Sequence, residues 1–224
     1  MTDPMPISGP AIAPTSGETR SLVVFLHGWG AGDDLIAIGH AWRGALPDTR
    51  FVAPHAPDVC DENPLGRQWF GFGDRDPSAL AKGAARAAAV IDRFLDDTLA
   101  AFGLGDDRLA LVGFSQGAMM AIYVALRRAR ACAGVISYSG ALIGGESLVE
   151  AQSVTPTRIV TPPMLLVHGD ADPVVPPRSM PAAVDLLTAI GVPARSHLAK
   201  GVGHGIDEES IALGRDFLVE ALAD

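Results

Sequence analysis

Cysteine is nearly absent from this chain: Cys60 and Cys132 are the only two, and no C-x-x-C spacing occurs. That excludes a disulfide framework and a cysteine metal centre, and free thiols imply a reducing compartment. Positive charge is also scarce, with 17 Lys and Arg against 26 Asp and Glu and a net charge of −9. The one basic cluster, Arg127, Arg128 and Arg130, falls at the end of a predicted helix, where cations suit the dipole. Neither a nucleic-acid partner nor an anionic membrane surface is therefore expected. No apolar run is long enough to span a bilayer, and Met1-Thr2-Asp3-Pro4-Met5-Pro6 is not a basic region leading into an apolar one. The expectation is a cytoplasmic protein with no stable membrane insertion. No two histidines have metal-ligand spacing, and neither a Walker sequence nor G-x-G-x-x-G follows the first strand. No metal and no cofactor are expected.

What the chain has is glycine, 25 residues of it, within 224 residues that are 48% apolar, enough to bury one sizeable core. Residues 1–20, rich in Pro, Gly, Ser and Thr, read as a loosely held leader with at most a short edge strand around Ile7 to Ala13. Residues 21–224 read as a single domain, because no repeat or linker divides them. Continuous apolar runs at Leu22–Leu26, Phe51–Ala53, Leu109–Phe114, Val135–Tyr138 and Met164–Val167 read as strands buried on both faces. Ala194–Leu198 reads as a further short strand. Helix-period segments lie between them at Ser78–Phe102, Gln116–Arg130, Ser179–Ile190 and Asp207–Ala223. The alternation predicts an α/β fold with a mostly parallel central sheet and helices on both faces.

In such a sheet, functional loops gather at the carboxyl ends of strands. Gly113-Phe114-Ser115-Gln116-Gly117 occupies one such end. A turn from strand to helix over one residue crowds the positions two before and two after its apex. Glycine at both relieves the crowding and lets the strained serine project its hydroxyl, as a nucleophile elbow does. A serine hydroxyl needs a base, and the base needs a carboxylate. Two aspartates, Asp170 and Asp172, follow the strand ending at Val167, and His204 follows the next strand in a glycine loop. Either aspartate could reach a histidine from that turn. Asp172 is favoured because the Pro173-Val174-Val175-Pro176 stretch would lock and bury it, whereas Asp170 reads as a turn-former. His197 lies inside the strand pattern and is the lesser candidate for the base. The backbone N–H groups of Gln116 and of Trp29, within His27-Gly28-Trp29-Gly30 after the first strand, are candidates for an oxyanion hole. His27 reads as a tie between loops. His40 falls in a predicted surface helix, and His55 lies in a rigid loop with no visible acidic partner.

These motifs, taken in order with His168-Gly169-Asp170-Ala171-Asp172, resemble the phospholipase/carboxylesterase family of α/β-hydrolases, which includes the acyl-protein thioesterases. Arg67-Gln68-Trp69-Phe70 and Ala53-Pro54-His55-Ala56-Pro57 are similar to its bacterial serine-esterase branch. The resemblance runs from about Ser21 to the C-terminus. It implies Ser115 as nucleophile, Asp172 and His204 as its partners, and the Trp29 and Gln116 amides as oxyanion donors. The implied activity is cleavage of carboxylic esters, thioesters or lysophospholipid-type esters through an acyl-enzyme; an acyltransferase would use the same residues, and a non-catalytic ligand-binding module is the remaining alternative. Trp29 stands where many relatives carry leucine or tyrosine, which bears on the shape of the acyl pocket.

The interval Gly140–Pro162 is too short for a full helical cap, so an open site is expected, which suits extended or macromolecular esters better than a sealed pocket would; the expected partner is a small-molecule or lipid-like ester substrate. Segment Asp58–Asp76 carries three aromatics among polar, Gly and Pro residues and is not expected to form an ordinary strand or helix. The reading places Trp69, Phe70 and Phe72 in an apolar acyl-binding wall, with Leu142, Ile143 and Val174 opposite. Oligomeric state is open, a homodimer included.

Overall fold

The computed structural model describes residues 6–73, 76–145 and 160–223. Its elements are β1 (Ala11–Ile12), β2 (Ser21–Leu26), α1 (Gly32–Trp42), β3 (Thr49–Val52), β4 (Asp58–Val59), β5 (Arg67–Gln68), α2 (Pro77–Phe102), β6 (Leu109–Phe114), α3 (Gln116–Ala125), β7 (Gly134–Tyr138), β8 (Met164–Gly169), α4 (Ser179–Ala189), β9 (Ala194–Ala199) and α5 (Glu208–Ala221). Seven strands form one sheet in the order β1-β3-β2-β6-β7-β8-β9. All pairings in it are parallel except the short β1 edge, which runs antiparallel to β3.

The apolar runs become strands because both faces of the sheet are covered. Leu22, Val24 and Leu26 of β2 point into one core with Ala84, Ile91 and Leu95 of α2, Met120 and Val124 of α3, and Leu187 of α4. Val23 and Phe25 alternate to the other face and meet Leu35, Ile38 and Trp42 of α1 and Phe217 and Leu218 of α5. The same alternation separates Leu109 and Leu111 from Ala110 and Val112 in β6. Every residue of α3 is buried, since it packs against β2, β6 and β7 of the sheet and against α2. At roughly 1.5–3 kcal/mol per fully buried large apolar side chain, these two layers supply the main stabilisation.

Helix boundaries follow their caps. Asp76 accepts from the Ala79 amide with Pro77 at the first turn, and Gly103 closes α2 at φ 65°. Phe102 is 37% exposed beneath the Arg50 guanidinium, and Leu99 takes the core position. Helix α3 stops at Ala125 rather than continuing to Arg130. Beyond it, Arg127 lies over the Tyr123 ring, and Arg128 turns onto Asp92, Asp96 and Asp106. Trp42 makes α1 more than a surface helix: its ring is buried and its indole N–H donates to the Ile211 carbonyl at 2.9 Å.

Residues 6–20 are tied down more closely than their composition suggests. The amides of Ala53, His55 and Ser16 bond the carbonyls of Pro10, Ser8 and Pro47, and Ile12 is buried. Within Asp58–Asp76 the chain does form strands, the two-residue pair β4 and β5, contrary to expectation. The interval read as too short for a cap falls largely on 146–159, outside the described residues.

Candidate active site

Ser115 sits at the carboxyl end of β6 with φ 54° and ψ −119°, a backbone conformation that residues other than glycine rarely adopt. Its flanking glycines are obligatory there. A Cβ on Gly113 would lie 2.3 Å from the Gly117 carbonyl oxygen, and one on Gly117 would lie 1.8 Å from that of Leu26. The turn is held from the neighbouring strand, where the Ser115 amide donates to the Tyr138 carbonyl at 2.9 Å. As the first residue of α3, Gln116 has an amide with no carbonyl inside the helix to bond.

The loop after β2 lies directly against the serine. A Cβ on Gly28 would come within 3.1 Å of the Ser115 Cβ, a tighter contact than side chains ordinarily make, so the glycine eases this approach. His27 holds the loop: its Nδ1–H donates to the Gly28 carbonyl at 2.7 Å, and Nε2 accepts the Ala56 amide at 2.9 Å. Both ring nitrogens are committed to the neutral tautomer, and burial lowers the pKa of this imidazole. It acts as a tie between loops, as its position suggested.

The turns after β8 and β9 are also joined. The amides of Asp170 and Ala171 donate to the carbonyls of Ala199 and Val202. Gly169 lets the loops cross, since a Cβ there would lie 2.3 Å from the Val202 oxygen. On this platform His204 Nδ1 stands 2.7 Å from Oδ2 of Asp172. A carboxylate can only accept, so Nδ1 carries the proton and Nε2 keeps its lone pair. The other Asp172 oxygen accepts the Val174 and Val175 amides at 2.8 and 3.0 Å. Burial works against the charge on Asp172, but the hydrogen bonds from His204 and the two amides outweigh it and hold the carboxyl below the ordinary aspartate range. Asp170 instead turns Oδ1 onto the Gly201 amide at 2.7 Å.

Sequence reasoning overlooked a second histidine at the acid. His168 is buried, and its Nε2 lies 2.9 Å from the Val175 carbonyl and 3.3 Å from Asp172 Oδ2. The signal was its place two residues before Asp170, inside the same motif. His197 faces α5, with Nε2 3.7 Å from Glu209. His55 has an acidic neighbour, Asp33 at 3.8 Å, and its Nδ1 accepts the Gly32 amide at the start of α1.

Ser115 and His204 open into one groove of about 440 Å³. Trp29, Phe72, Phe114, Met119, Ala141 and the Val174–Pro176 turn give it an almost wholly apolar wall. Trp29 and Phe72 meet edge to face at 5.3 Å, and the Phe114 ring lies 4.8 Å from that of His204.

Of the side chains expected in the wall, Phe72 and Val174 are there and four are not. Trp69 and Phe70 are completely buried. The Trp69 indole N–H donates to the His27 carbonyl, and Phe70 packs on α2, where a Cβ on Gly83 would lie 3.0 Å from its own. Ile143 is buried in the core behind the groove, and Leu142 turns toward α4, both it and Leu186 lying within 3 Å of where a Gly145 Cβ would sit. Ala141 takes the wall position. Met119 and Ser179 line the groove from helical segments that gave no sequence signal, because one reads as core and the other as a helix start.

The family model described as phospholipase/carboxylesterase matches residues 8–222. Acyl-protein thioesterase 1 of Neurospora crassa is 29% identical over 237 aligned residues, spanning 95% of this chain and 91% of that protein. Among solved structures, the crystal structure of esterase PE8 is 44% identical with a TM-score of 0.90, covering 97% of this chain and 100% of the other. A carboxylesterase from Mesorhizobium loti shares the fold at 20% identity, with a TM-score of 0.76 and coverage of 97% and 96%. Likeness of this extent, over the elbow, the acid and base loops and the sheet that carries them, places the molecule: the chain belongs to the phospholipase/carboxylesterase family of α/β-hydrolases, as a hydrolase of the carboxylesterase and thioesterase type.

Proposed function

We propose that the protein cleaves esters and thioesters of apolar acyl chains, lysophospholipid-type esters included, through an acyl-enzyme on Ser115. The observation that carries this reading is the 2.7 Å contact between His204 and Asp172 at the edge of the groove that also exposes Ser115. The acid fixes the imidazole with its proton on Nδ1, so Nε2 takes the Ser115 proton as Oγ attacks the acyl carbon. The carbonyl oxygen becomes an oxyanion, bonded by the amides of Trp29 and Gln116. Collapse of the adduct breaks the bond to the alkoxide or thiolate, which leaves with the proton from Nε2. Water then attacks the acyl-enzyme with the same proton relay and releases the acid. Among the described residues that line the groove none carries a formal charge, and Ser115, Ser179 and His204 are the polar ones, which suits an apolar acyl chain better than a polar one. Two buried, unpaired cysteines fit a reducing, cytoplasmic setting for this chemistry.

The test is labelling with a fluorophosphonate, location of the adduct by mass spectrometry, and assay of p-nitrophenyl esters of increasing acyl length. Adduct on Ser115 and hydrolysis abolished in Ser115→Ala are expected. A label elsewhere, or hydrolysis undiminished in Ser115→Ala, removes the mechanism.

A further inference from the structure

The amides of Trp29 and Gln116 belong to different loops, one after β2 and one at the start of α3. Two donors on separate loops stabilise one oxyanion only if their spacing is held before the charge develops. One buried dipeptide unit reaches both loops. The Trp69 indole N–H donates to the His27 carbonyl at 2.8 Å, two residues before Trp29. The Trp69 backbone N–H donates to Gln116 Oε1 at 2.9 Å, and Gln116 Nε2 donates to the Phe70 carbonyl at 2.6 Å. The Trp69 ring lies 5.4 Å from that of His27, and the Arg67 amide adds a bond to the Gly30 carbonyl at 2.8 Å. The side chains of His27, Trp69 and Gln116 are buried, so water does not compete for their bonds.

A tryptophan serving only as filler would not need its indole N–H and backbone N–H placed on two different loops. Nor would a helix N-terminal glutamine serving only as a spacer spend both ends of its amide on one dipeptide, Trp69-Phe70, more than 40 residues away in the chain. We propose that Trp69 and the side chain of Gln116 are positioning residues: with Phe70 they form a strut that sets the distance and aim of the Trp29 and Gln116 amides. The inference rests on the reading of those two amides given above. Neither side chain lines the groove, so their effect falls on the transition state and not on acyl binding.

The experiment compares Gln116→Met, which keeps the length and removes both polar ends, with Trp69→Phe, which removes the indole donor, and with the double variant. Replacing Trp69 by benzothienylalanine keeps the ring volume without the N–H, and serves if Trp69→Phe does not fold. For each, kcat and KM are measured on a short p-nitrophenyl ester, together with inhibition by a trifluoromethyl ketone that forms the tetrahedral adduct. Each single change is expected to lower kcat about tenfold with KM altered less than about twofold. Ketone affinity should fall in step with kcat/KM. The double variant should lose less than the product of the two, because either change slackens the same strut. Folded variants that keep kcat within about twofold, or that weaken KM alone, overturn the proposal and make Trp69 a packing residue. Fluorophosphonate labelling of the unaltered protein separates the two failures: no adduct on Ser115 removes the strut's role together with the mechanism, whereas an adduct with unimpaired variants removes the strut alone.

Discussion

His204 donates from Nδ1 to Asp172 across 2.7 Å, while Asp170, only two residues away from that acid, spends its carboxylate on the Gly201 amide. Two aspartates of one turn thus have separable jobs. Asp172→Asn should leave the backbone in place, present the wrong hydrogen-bonding partner to Nδ1 and reduce kcat by on the order of 10⁴. Asp170→Asn keeps an oxygen for Gly201 and should change kcat little. Steady-state kinetics of the two variants decide it, and a larger loss in Asp170→Asn reverses the assignment.

The same acid ties stability to pH. The Asp172 carboxyl is held below its ordinary range, as is that of Asp207, which caps α5 by accepting the Ser210 amide. A group whose folded pKa is depressed contributes stability above its unfolded value, about 3.9 for aspartate, and loses it as pH falls through the folded value. Thermal unfolding midpoints should therefore be flat from neutral pH down to about 4 with respect to these two groups and drop below it. Asp207→Ala should flatten that acid limb while costing about 1 kcal/mol at pH 7 through the lost cap.

Much of this was open to reading from the chain because it is local. Continuous apolar runs mark strands covered on both faces, and Gly113 and Gly117 mark a turn that no Cβ could enter. The acid and base follow successive strands in an order the sheet explains. What escaped was the direction of side chains in the irregular stretch before α2. Trp69 and Phe70 carry no periodicity to say which way they face, and their partners His27 and Gln116 lie 42 to 47 residues away. Leu142 and Ile143 failed for the same reason, since only the placement of α4 draws Leu142 away from the groove.

Ser139 offers a different kind of test. Among the described residues it is the other non-glycine residue with positive φ, at 51°, and its buried hydroxyl has no hydrogen-bond partner there. It follows β7 directly and sits one residue from the carbonyl that holds Ser115. Relief of left-handed strain, ~1–2 kcal/mol, should exceed the added chain entropy of glycine, ~0.5–1 kcal/mol. Ser139→Gly should raise the unfolding midpoint by about 2–4 °C. A lowered midpoint would show that the hydroxyl stabilises the fold.

Arg128 is a charge anchor away from the groove. Its side chain is 7% exposed and bonds Asp92, Asp96 and Asp106, so it fastens the end of α3 to α2 and to the turn before β6. Burial alone would depress the guanidinium's pKa, but the three carboxylates raise it well above its usual value. Arg128→Met keeps the aliphatic volume and leaves three acids facing one another. Asp96 is largely exposed, which limits the repulsion, so a loss of about 2–3 kcal/mol is expected in urea unfolding, smaller at high salt. The end of α3 is the far end of the helix that begins beside Ser115, ten residues long and buried throughout. Activity measured well below the unfolding midpoint should nonetheless stay near normal, because Gly113, Gly117 and the Tyr138 carbonyl fix the elbow at its own end. A fall in kcat at such temperatures would instead mean that the elbow's geometry is set along the full length of α3.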